Sequence, residues 1–120
     1  MNGPNTGGRS QRRSRRALES QVDAARSRPE SALACYALAL FHDNNSREAQ
    51  AIPHYRRALA LGLERETAQK ALAWLASSLL KTGNRTEAKK ALARALRIAD
   101  DPQLYRFLRR LDKRLQGGSD

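Results

Sequence analysis

The side chains able to do chemistry are few and scattered. His42 and His54 stand twelve residues apart, and neither has a cysteine or a second histidine or carboxylate at metal-ligand spacing. That pattern predicts a packed His42 and a surface His54 rather than a metal centre or a general base. Carboxylates gather only at Glu64/Glu66 and Asp100/Asp101, both at expected turns, where negative charge favours a helix start through the backbone dipole. Cys35 sits among Ala and Leu and reads as a small buried apolar residue, not an activated nucleophile. The glycines of Asn2-Gly3-Pro4 and Gly7-Gly8 precede no strand, so no phosphate-cradling loop is formed. The expectation is a protein with no catalytic residues, no metal ligands and no cofactor, and not an enzyme.

A second chemistry is electrostatic. Arg12, Arg13, Arg15 and Arg16 lie in one short stretch and would attract phosphates or an acidic protein surface by releasing counterions. No aromatic side chain accompanies them to stack on bases, and no base-reading helix motif is present. A solvated tail is therefore the first reading of the arm, with nucleic acid behind it.

The elements that would position these groups follow from composition. The chain has 120 residues and a formal net charge of +11, with the excess concentrated at the two ends. That length allows one domain. Of the 40% hydrophobic residues most are Ala and Leu, and aromatics are only 5%, a mixture that favours helices over sheet. A lone cysteine excludes a disulfide scaffold. The longest uncharged apolar run, Ala32 to Phe41, is about half what a bilayer requires. An Arg-rich polar start without an apolar stretch behind it is no secretory signal, so a cytoplasmic location is expected.

Residues 1–14 are expected to form a disordered basic arm, and 117–120 a short tail. Leu18, Val22 and Ala25 at helical spacing predict a weak helix over about 15–27. The middle of the chain repeats at a shift of 37 residues: Ala34 pairs with Ala71, Leu38 with Leu75, Ala39 with Ala76, Ala51 with Ala88, Ala58 with Ala95 and Leu59 with Leu96. Each unit reads as two helices, 29–44 with 47–61 and then 64–82 with 85–99. Asn44-Asn45-Ser46 and Gly83-Asn84 break the pairs, and Gly62 and Asp100-Asp101-Pro102 close the units. Leu104, Leu108, Leu111 and Leu115 form one apolar stripe on a last helix, 102–116.

On Leu38-Ala39, Ala51, Tyr55, Ala58-Leu59, Leu75-Ala76, Gly83, Ala88 and Ala95-Leu96, the chain resembles the tetratricopeptide repeat family over roughly residues 29–116. Small residues at these places let helices approach closely. The spacing departs from the usual repeat of 34, the additional residues falling at Gly62–Arg65. The resemblance implies an all-α fold: a right-handed α-solenoid of two helix pairs, about 29–62 and 64–101. Two repeats are too few to close a core alone, so helical caps at both ends are implied as well, the last being 102–116.

The resemblance also implies function. In this family the first helix of each unit lines a concave groove that holds a peptide or helix. By that analogy Leu33, Tyr36, Leu40, Trp74 and Ser77 would line the groove and Arg106 and Arg110 would form its basic end. The family's clamp for peptide carboxylates, made of Lys, Asn and Arg on these first helices, is not carried over, because Tyr36, Leu40 and Trp74 occupy the comparable places. The expected role is non-catalytic protein–protein interaction with a segment that has acidic flanks. Three alternatives stand beside it: a nucleic-acid accessory role for the arm and last helix, self-association into a homo-oligomer, and cover of this face by the helix bearing Leu18 and Val22.

Overall fold

The computed structural model describes residues 31–117. The basic arm at 1–14, the expected helix over 15–27 and residues 118–120 lie outside the described residues.

Five helices follow one another: α1 (Ala32–Asn44), α2 (Glu48–Leu61), α3 (Arg65–Lys81), α4 (Arg85–Ile98) and α5 (Pro102–Gly117). Among the described residues there is no strand. The tightest packing is within the pairs α1/α2 and α3/α4. Next come α2 on α3 and α4 on α5, and α5 also reaches back to α3. Packing between neighbours in sequence makes this a helical solenoid.

Local chemistry explains several of the boundaries. The Ser31 hydroxyl accepts the Ala34 amide at 3.2 Å and starts α1. At its end the Ser46 amide donates to the Asp43 carbonyl and the Arg47 amide to the His42 carbonyl, closing the helix with Ser46 at φ 59°. The same pair of bonds ends α3, from Gly83 to Leu80 and from Asn84 to Leu79. There the positive φ of 85° falls on a glycine, which has no Cβ to clash. At Asp101 the side chain accepts the Gln103 amide at 3.0 Å, and Pro102 opens α5 at the position where a missing N–H costs nothing. Pro53 lies inside α2, on its exposed side.

The core is narrow because its seams are alanine. Ala39, Ala51, Ala58, Ala71, Ala73, Ala76, Ala88 and Ala95 are all fully buried, so helix backbones approach closely. Leu72, Leu75 and Leu79 fill the middle layer, and Leu104, Leu108, Leu111 and Leu115 bury the inner side of α5. Each fully buried Leu contributes on the order of 2 kcal/mol of transfer free energy. In α1, Leu38 and Phe41 are half-buried while Ala37 is fully buried.

Polar ties hold the helices in register. Tyr55, with no exposed surface, donates its hydroxyl to Asp43 Oδ2 at 2.6 Å and so joins α2 to the end of α1. Gln69, only 2% exposed, donates to Asp100 Oδ1 at 3.0 Å and accepts the Asp100 amide at 3.4 Å. Arg65 meets the same loop through the Ile98 carbonyl at 3.2 Å and Asp100 Oδ2 at 3.4 Å. Arg85 at the start of α4 donates to the Leu115 carbonyl near the end of α5.

Candidate partner-binding face

Three helices, α1, α3 and α5, each place one aromatic side chain on a common face. Tyr36, Trp74 and Phe107 are all half-buried against the core. Trp74 and Phe107 meet edge to face, with ring centroids 5.4 Å apart and planes at 66°, the geometry that their quadrupoles favour. Trp74 also hydrogen-bonds the Tyr36 hydroxyl, its indole N–H being able only to donate. Burial pushes the Tyr36 hydroxyl above its ordinary pKa, and the Trp74 bond offsets part of that rise. Behind Tyr36, the ring of Tyr55 lies 6.2 Å away at 51°, linking the row to the fully buried core.

The other residues expected from sequence to line a groove differ in exposure. Leu33, 63% exposed, marks one end on α1. Leu40 and Ser77 are half-buried, Leu40 packing on the core. Arg106 and Arg110 are exposed on α5. Trp74 is where the sequence picture changes. A groove-lining residue would stand clear of the core, whereas α5 folds back on α3 and covers one side of Trp74. Phe107 was not anticipated. Its signal was present as the one aromatic between Arg106 and the Leu108 position of the apolar stripe. Arg12, Arg13, Arg15 and Arg16 lie outside the described residues.

A family model described as tetratrico peptide repeat matches residues 32–109, which takes in α1 through α4 and the first half of α5. The chain belongs to the tetratricopeptide repeat family. Repeats of this family generally mediate protein–protein interaction and are in general not catalysts. No curated protein and no solved structure matches the chain.

In this tetratricopeptide repeat domain the histidines form a feature of their own. His42 of α1 and His54 of α2 stack at 5.4 Å with planes only 13° apart; Phe41 meets His42 edge-on at 5.8 Å, and the Arg47 guanidinium lies 5.8 Å over Phe41. His54 is half-buried, not a surface residue as its spacing implied. His42 Nδ1 is buried without a hydrogen-bond partner. Burial lowers both pKa values from 6.5, and for His42 the neighbouring His54 and Arg47 add to the effect. Among the described residues there is no cluster of three or more His, Cys, Asp or Glu that could hold a metal, and no helix is long and apolar enough to cross a membrane.

The lowered values set a sign. Above 6.5 both rings are neutral in folded and unfolded chains, so stability is complete there. As the pH falls below 6.5 the unfolded chain takes up protons first, and stability declines through the lowered folded values. Urea midpoints are therefore expected to fall between about pH 7.5 and pH 5, and His54→Gln to flatten that fall relative to the parent chain.

Proposed function

We propose that the domain is a non-catalytic interaction module that binds a peptide or helix of another protein along the face shared by α1, α3 and α5. The observation that carries this reading is the connected row Tyr36–Trp74–Phe107, one aromatic from each of three alternating helices. Aromatic side chains give large contact area at small cost in rotamer entropy. The helices that carry the row also bear an exposed leucine, Leu33 on α1, and exposed cations, Arg106 and Arg110 on α5. An apolar segment with acidic flanks matches that combination of surface.

The test uses exposed residues on the helices that carry the row, because Trp74 is held by Phe107 and Tyr36 and its removal would disturb the fold as well. Leu33→Glu and Arg110→Glu change exposed positions, where stability usually moves by under about 0.5 kcal/mol. Both variants, and the two combined, are expected to lose proteins that the parent chain retains from a lysate of its native host, at an unchanged melting midpoint. Retention of the same set of proteins by the combined variant would overturn the reading. Retention that vanishes steeply with added salt for all forms would favour the nucleic-acid alternative instead.

A further inference from the structure

A second surface stands apart from the aromatic row. Helices α2 and α4, with α3 beneath them, enclose two adjoining depressions. The larger, about 420 Å³, has Leu59, Leu75, Leu79 and Ala91 as its apolar lining and Arg56, Lys90 and Arg94 among its polar groups. The smaller, about 230 Å³, shares Leu59 and Arg94 and continues to Leu63, Leu72 and Arg97. None of Tyr36, Trp74 or Phe107 lines either one.

The charge around this surface is one-sided. Helices α2 and α4 carry seven Lys or Arg against two carboxylates, Glu48 and Glu87. Both carboxylates have cationic partners already: Glu87 with Arg56 at 3.6 Å and Lys90 at 3.5 Å, and Glu48 with Lys81 at 3.8 Å. Arg94, exposed, lines both depressions, and Arg97, also exposed, lines the smaller. Arg94 also matches Arg57 under the 37-residue shift, so a cation recurs at this place in both repeats.

We propose that the α2/α4 surface binds an acidic segment of another protein that carries large apolar side chains. The apolar groups seat against Leu59, Leu75 and Leu79, and the carboxylates face Arg94 and Arg97. Three features select this occupant. A phosphodiester chain has no large aliphatic side chain for the apolar lining, and no aromatic side chain lines either depression to stack on a base. A second copy of this chain brings a formal charge of +11 against a basic rim, which opposes association. Residues 1–30 of the same chain hold seven Arg against three carboxylates, a charge of the same sign as this rim.

The experiment measures fluorescence polarisation of the full chain with three labelled probes. One is a short peptide in which Leu and Phe alternate with Asp and Glu; the second replaces each Leu and Phe with Ser; the third is an oligothymidylate. The first probe is expected to bind at least about tenfold more tightly than the other two. Arg94→Glu with Arg97→Glu should weaken it by about tenfold or more, and Ala60→Glu, which places a carboxylate on the exposed edge of the larger depression, should weaken it independently. Arg106→Glu with Arg110→Glu should weaken it less than either α2/α4 variant does, which separates this surface from the aromatic row. Equal binding of the two peptides, tighter binding of the oligothymidylate, or affinity unaltered in both α2/α4 variants would overturn the proposal. So would an equal loss in the α5 variant.

Discussion

Tyr55→Ala is expected to cost about 3–5 kcal/mol of stability, the range for deleting a large aromatic from a packed interior. The ring has no exposed surface and touches Tyr36 at 6.2 Å, so its removal opens a cavity between α1 and α2 that the alanine seams around it cannot fill. Its hydroxyl is a separate matter. Burial, the hydrogen bond to Asp43 and the charge of Asp43 all push its pKa upward, so it remains protonated and donates throughout the range in which the protein is handled. Tyr55→Phe keeps the ring and loses only that bond, at about 1 kcal/mol. Urea unfolding followed by circular dichroism measures both. A Tyr55→Ala loss no larger than that of Tyr55→Phe would show that the ring does not join the two helices.

Ala76→Leu is expected to destabilise by about 1–3 kcal/mol through overpacking, and Ala39→Leu, its repeat counterpart, by a similar amount. Both alanines have no exposed surface, and both lie in the continuous core cluster that includes Tyr55 and Leu108. Three added carbon atoms at either place must push helices apart or force strained rotamers. At an exposed helical position such as Ala60 the same replacement changes stability by under about 0.5 kcal/mol. Thermal melting of the three variants makes the comparison, and equal midpoints would remove Ala39 and Ala76 from the role of repeat seam.

Much of this architecture is written in short-range signals. Asn44-Asn45-Ser46, Gly62, Gly83-Asn84 and Asp100-Asp101-Pro102 mark four breaks, and each coincides with a helix end in the structure. The 37-residue shift separates the repeats because identical small residues return at identical packing positions. The candidate face was less legible. A helical wheel drawn for α3 places Trp74 away from the leucine stripe, but no wheel of one helix includes α5, which supplies Phe107 from 33 residues downstream. Gln69 gave no signal as a buried residue, since its partner Asp100 is 31 positions away. The histidine stack was hidden for the same reason: α1 and α2 had to pair before His42 and His54 could meet.

Packing that runs mainly from each helix to the next also shapes how the fold opens. Amides are protected from hydrogen exchange by the cheapest fluctuation that exposes them, and in an array of nearest-neighbour contacts those fluctuations begin at the outer members. Among the described helices α3 touches α2, α4 and α5, whereas α1 is held chiefly by α2. Exchange is therefore expected to be graded along the described helices, slowest in α3. A ligand laid along Tyr36, Trp74 and Phe107 would bridge α1 and α5, whose fraying is otherwise independent. Its binding would then slow exchange at both ends together and make the domain open as one cooperative unit.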